Sequence, residues 1–338
     1  MSLIDVCCSD AIVATGPHVH LAKRSALTCS DVKSRVSPEV AEALAAGDPV
    51  VALESTIIAH GLPRPGNLAA AHRIEAVARD NGAQPATVAV LGGQPHVGLD
   101  AAQLERVAGD DMAKLSQRDL PVAAGLGLDG ATTVAATAGL ARRAGVAVFA
   151  TGGLGGVHRD AMRTWDVSAD LPTLARTPIV VVCAGIKSML DVPATLEQLE
   201  TLGVTVVGYR SRHFAGFYRS DSGQSVPWTA ENAQQIAAMH VARDELGLPG
   251  AIVVSNPLPE SEQLDPQMHD ESLRSGLQQA DVQGITGAAL TPFLLAHFHR
   301  ETAGRSLEVN IRLVLRNVAL AARIAAAVRE VQQAHTGL

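Results

Sequence analysis

Aromatic side chains are scarce in this sequence, only 3% of 338 residues, and charged residues reach just 18% against 47% apolar. A core with so few rings must be filled by Ala, Val and Leu, which requires close packing of small side chains. Cysteine is limited to Cys7, Cys8, Cys29 and Cys183, and no CxxC pair occurs, so nothing in the spacing suggests a zinc cluster or a redox couple. That usage points to a reduced, cytoplasmic protein. No stretch approaches the roughly 20 apolar residues of a membrane span, and the opening MSLIDVCCSD lacks a basic start ahead of an apolar run. The net charge of -7 argues against nucleic acid as partner, because that recognition needs a basic face to displace counterions. A small anionic molecule held in a local pocket remains open, and a small-molecule substrate is the expected partner.

What is present reads as alternating strands and helices. Residues 1–36 show mixed polarity without a sustained period and are expected to be a poorly ordered N-terminal extension. Ser37-Pro38-Glu39 is a helix start, with serine as cap and proline in the first turn, and it opens a single catalytic body over 37–338. Short β-branched runs at 50–53, 87–91, 146–150, 179–184, 205–209 and 251–256 are candidate buried strands. Ala-rich amphipathic stretches at 68–80, 131–144, 193–202 and 230–246 separate them, and 306–334 reads as a long terminal helix. The expected fold class is α/β, a layered α/β/α arrangement on a largely parallel or mixed sheet.

Lysine is rare. Of 27 basic residues only Lys23, Lys33, Lys114 and Lys187 are lysines, and the first two lie in the extension. A chain that otherwise uses arginine keeps a lysine where a compact ammonium, or an amine able to lose its proton, is required. Lys187 follows the apolar run IVVVCAGI at the carboxyl end of a strand, where α/β sheets place their sites, and an unprotonated amine there can attack a carbonyl. An ordinary surface lysine is the alternative. Glu54 closes the run VVALEST, at the mouth of the sheet, and suits acid-base work; a helix cap by Ser55 or Thr56 explains the same string. Asp166 and Asp170 flank Ser168 in WDVSADL, a density of oxygen ligands that suits one divalent cation with retained waters, or a capped turn.

Two segments are rich in glycine. GLGLDG at 125–130 matches GxGxxG, but the next strand ends without the acidic residue that would hold a ribose hydroxyl, which disfavours a dinucleotide site. TGGLGGVHRD at 151–160 can present backbone N–H groups to a phosphate, or be a tight turn that needs positive φ. His158 within it is a substrate contact or a histidine bonded to backbone.

The strings SPEV, PVVALESTIIAHGLP, RDLP, GATTVAAT, FATGGLGGVHR, SADL, VVCAGIKS, LETLGV and TPFLLA occur here in one order. In these the chain from about Ser37 onward resembles the pseudouridine-5'-phosphate glycosidase family, also called indigoidine synthase A-like. The resemblance implies reversible cleavage of the C–C glycosidic bond of pseudouridine 5'-phosphate to uracil and ribose 5-phosphate. It makes Lys187 the nucleophile that forms an imine with C1' of the ring-opened ribose, and Glu54 the proton donor. It further implies Asp166 as the ligand of a manganese or other divalent ion such as magnesium. Lys114, Val134, His158, Ser168, Ala169, Asp170 and Asn310 would contact substrate, and the assembly would be a homotrimer. The chain departs from the family pattern at Gly66-Asn67, Gln117-Arg118, Asp160 and the HFAGFY string at 213–218. A lysine-imine aldolase or transferase on another phosphosugar and a non-catalytic phosphosugar-binding protein are the competing readings.

Overall fold

The computed structural model describes residues 33–336. Eleven strands form one sheet: β1 Arg35–Val36, β2 Val50–Leu53, β3 Gln84–Leu91, β4 Gln94–Val97, β5 Ala113–Leu115, β6 Gly130–Thr132, β7 Val148–Ala150, β8 Val180–Cys183, β9 Thr205–Tyr209, β10 Trp228–Ala230 and β11 Ile252–Ser255. Their order is β1-β4-β3-β2-β7-β8-β11-β9-β10, with β6 pairing β3 and β5 pairing β6. Every neighbouring pair is parallel except β3 with β4 and β3 with β6.

Strand alternation divides the core. Val51, Leu53, Val148, Val180, Val182 and Val254 face one helical layer, which includes Ala233–Glu245 and the long helix Arg305–Thr336. Val50, Ala52, Phe149, Val181, Cys183 and Val253 face the other, packed by Pro38–Ala45, Val134–Arg143 and Val192–Thr201. With both faces covered, the central strands need apolar residues at every position, and this is why they read as continuous runs in the sequence. Phe149 and Phe214 are the buried aromatics of the second cluster; aliphatic side chains, chiefly Val, Leu and Ala, fill the rest.

The expected α/β layering holds, and the observed elements refine its borders. Residues 1–32 of the expected extension lie outside the described residues. Its end does not match the expectation, because Arg35–Val36 pairs in parallel with β4, so the folded body begins ahead of Ser37. Ser37 caps the first helix by accepting from the Val40 N–H at 3.3 Å. No helix among the described residues is long and apolar enough to cross a membrane.

Candidate active site

The carboxyl ends of the parallel strands converge on a cavity of about 300 Å³, a size suited to a small molecule. Glu54 leaves β2 directly and Gly152 and Gly153 follow β7. Lys187 follows β8 across a turn at Gly185. Gly185 has φ +86° and a side chain there would run into the Ala215 carbonyl, so only glycine lets the chain reverse at this point. The backbone N–H of Lys187 donates to Leu154 O at 3.1 Å, which ties the lysine loop to the glycine-rich segment beside it. The helix Leu290–Glu301 closes the cavity with Thr291, Pro292 and Leu295, and the terminal helix contributes Asn310.

All ten site residues expected from the sequence line this one cavity: Glu54, Lys187, Lys114, Val134, His158, Asp166, Ser168, Ala169, Asp170 and Asn310. They come from a strand, three helices and the loops after strand ends, spread over more than 250 positions, so the sheet is what brings them together. Glu54 is 8% exposed, and its two carboxylate oxygens accept from the Thr56 and Thr151 hydroxyls respectively. Ser55 is no helix cap; its hydroxyl donates to Val88 O at 2.6 Å and accepts from Thr132 N, joining the end of β2 to β3 and β6. Lys114, on the short strand β5, has an ammonium held below the usual lysine range. Desolvation against the cavity wall is the main cause and the Lys187 charge adds to it, while Glu54 and Asp170 pull the other way.

Asp170 is committed to the backbone. Its oxygens accept from Ala135 N at 2.9 Å, in the first turn of Val134–Arg143, and from Gly155 N at 2.8 Å. The His158 backbone N–H donates to Asp166 O at 3.0 Å, while its ring Nδ1 lies 3.6 Å from Asp166 Oδ2. The histidine is therefore both tied to backbone and turned to the cavity. The glycines at 152–156 are not there for positive φ, since none has it. They are there for close packing: a side chain at Gly153 would meet the Phe217 ring and one at Gly156 the Thr195 side chain. GLGLDG proves to be a helix end, with Gly127 (φ 65) capping Leu120–Leu126 in the left-handed region.

Sequence reasoning passed over His60, Thr133 and Thr151, and offered Thr56 only as a helix cap. His60 Nε2, Thr133 Oγ1 and Asn310 Oδ1 are buried without a hydrogen-bond partner among the described residues, and all three residues line the cavity. Unpaired polar atoms converging on one space are what a polar ligand would satisfy. His60 sits below the usual histidine range through burial and the neighbouring Lys114 charge, opposed by Asp111. The signal for these residues was faint, because hydroxyls and a histidine beside a strand end are common.

The family model described as indigoidine synthase A like protein matches residues 39–327. The chain belongs to the indigoidine synthase A-like family. Relatives named pseudouridine-5'-phosphate glycosidase include one from Salinispora tropica, 61% identical over 86% of this chain and 90% of that protein. Another, from Streptomyces griseus, is 58% identical over 86% of this chain and 91% of that one. Among solved structures, an indigoidine synthase A-like protein from Thermotoga maritima superposes with a TM-score of 0.81 at 34% identity, covering 90% of this chain and all of that one. A prealnumycin C-glycosynthase in complex with ribulose 5-phosphate reaches 0.83 at 36% identity with the same coverage.

Proposed function

We infer that this chain is an enzyme, a pseudouridine-5'-phosphate glycosidase that interconverts pseudouridine 5'-phosphate and water with uracil and ribose 5-phosphate. The observation that carries the reading is the meeting of Glu54 and Lys187 in one cavity, in a chain 61% identical to a relative of that name. A C-glycosidic carbon has no heteroatom leaving group for simple protonation to expel, so two carboxylates alone would not suffice. A lysine supplies what is missing. The Lys187 amine bonds to C1' as the C1'–O4' bond breaks and the ribose ring opens, and the proton that the amine sheds passes to O4'. Its nitrogen lone pair then forms the C=N bond while the C1'–C5 bond breaks and its electrons pass to the uracil ring. Glu54 delivers the proton to uracil C5. Water hydrolyses the imine, releasing ribose 5-phosphate and the free amine.

Lys114 and the segment Ser168, Ala169 and Asp170 hold the sugar phosphate, and Val134, His158 and Asn310 complete the substrate contacts. Asp166 is the candidate ligand of a divalent cation, manganese or magnesium. It offers a single carboxylate open to the cavity, and no group of three His, Cys, Asp or Glu among the described residues could hold a metal. That donor set fits an ion that retains most of its waters, as these two do. When bound, such an ion neutralises the 5'-phosphate and fixes its position. A homotrimer and a cytoplasmic location complete the reading. The C-glycosynthase neighbour supports a second one, in which the same imine sugar is joined to a different carbon acceptor.

Mass spectrometry of the protein with ribose 5-phosphate, Mn2+ and borohydride tests the first reading, with uracil release from pseudouridine 5'-phosphate followed alongside. An adduct on Lys187 together with uracil release is expected, and Lys187→Arg abolishes both because guanidinium stays charged. An adduct without uracil release moves the assignment to another acceptor. Absence of both signals overturns the imine mechanism.

A further inference from the structure

Glu54 has three side-chain torsions and, on its own, would sweep its carboxyl group across the cavity mouth. It does not stand alone. Thr56 donates to one oxygen and Thr151 to the other, from the two strand ends β2 and β7. Thr151 is 1% exposed and is itself fixed at both backbone groups: its N–H donates to Val182 O at 3.0 Å, and its carbonyl accepts from Asn317 Nδ2 at 2.8 Å. Asn317, fully buried in the helix Arg305–Thr336, also reaches Gly152 O at 3.4 Å and accepts from Asn256 Nδ2 at 3.0 Å. A chain of buried amides thus runs from the terminal helix and the end of β11 to the carboxylate of Glu54. Burying such amides is costly unless each is paired, and their pairing here ends on a cavity-lining acid.

We propose that Thr151, held by Asn317 and acting with Thr56, is a positioning residue that aims the Glu54 carboxylate at the carbon to be protonated. The inference rests on the glycosidase reading. A carboxylate offers about four lone-pair sites; one on each oxygen is taken on the protein side, so the transferred proton is left to the lone pairs that face the cavity. The same helix serves both the cavity and the acid, because Asn310 and Asn317 lie two turns apart on one face, the first lining the cavity with a buried Oδ1 that has no partner among the described residues and the second fixing Thr151.

The experiment measures kcat and KM for uracil release, the solvent deuterium isotope effect, and borohydride trapping of ribose 5-phosphate. It compares the unaltered enzyme with Thr151→Val, Thr151→Ser and Thr56→Val. Loss of aim should lower kcat about 10- to 100-fold in both valine variants with KM nearly unchanged. The isotope effect should rise, trapping on Lys187 should persist, and serine at 151 should restore most of the turnover. A Thr151→Val enzyme within about 2-fold of the original kcat, a serine variant as impaired as valine, or loss of trapping in step with turnover overturns the inference. If Thr151→Val does not fold, Thr56→Val carries the test with the same outcomes. An unaltered enzyme that releases no uracil overturns the glycosidase reading and this inference with it, whereas active enzyme with insensitive variants overturns the inference alone.

Discussion

A missing Cβ matters at Gly155, whose N–H feeds Asp170 while its Cα lies against Ser168. A methyl group there would come within 2.7 Å of Asp170 Oδ2 and closer still to the Ser168 hydroxyl. Gly155→Ala should therefore cost about 1–3 kcal/mol by overpacking, read from the urea midpoint, and it should lower kcat/KM by shifting the 168–170 segment. Gly125→Ala is the control, since nothing lies within 4 Å of a Cβ at that helical site; the midpoint should hold or rise by up to about 1 kcal/mol. Equal losses in both would refute the packing argument. At this scale the chemistry was legible where a residue type was rare. Two lysines in the folded body drew notice to Lys114 and Lys187, and both line the cavity. Thr151 was not legible, because its partner Glu54 is 97 positions away and only the pairing of β2 with β7 brings them together.

The elements differ in what made them readable. β2, β7, β8 and β11 are buried on both faces, and that burial imposes the apolar runs that mark them in the sequence. β4, β5, β6 and β10 carry no such mark. Gln94–Val97 contains a proline, and the other three are three residues long, with pairing decided by tertiary contact more than by propensity. The helix Ala233–Glu245 hides a further element-scale feature in the fully buried His240. Arg243 Nη2 donates to its Nδ1 at 2.8 Å, which leaves the ring proton on Nε2, 3.7 Å from Asp244 Oδ2. Burial and then the Arg243 charge depress this histidine to about 4, against the pull of Asp244, with Arg142 adding slightly to the depression. In the unfolded chain it takes up a proton near pH 6.5. Between those values the unfolded state binds the extra proton, so stability falls as pH drops from about 6.5 to about 4, by about 1 kcal/mol per unit from this group. His240→Gln, which keeps an acceptor for Arg243, should flatten the urea-midpoint profile across that window. A slope equal to that of the unaltered protein would assign the acid sensitivity to other groups.

For the whole molecule, the question is whether a divalent ion holds the fold or only the ligand. Structural metal sites are closed by several protein ligands and their binding energy is folding energy. Here the strands are joined by backbone pairing and two apolar layers, and Asp166 lines the cavity beside His158 without belonging to any group of three metal-binding side chains among the described residues. Metal would then enter with the phosphate and act on binding and orientation. Chelation is expected to leave the melting temperature and the far-ultraviolet circular dichroism unchanged while uracil release falls, and added Mn2+ should restore it. Asp166→Asn should reproduce the chelated state, raising KM for pseudouridine 5'-phosphate more than it lowers kcat, because the charge it removes acts through the phosphate. A melting transition that drops on chelation would mean that the ion is built into the fold and that Asp166 has protein co-ligands. An Asp166→Asn enzyme with unaltered KM but collapsed kcat would instead put the carboxylate at the reacting carbon, beside Glu54.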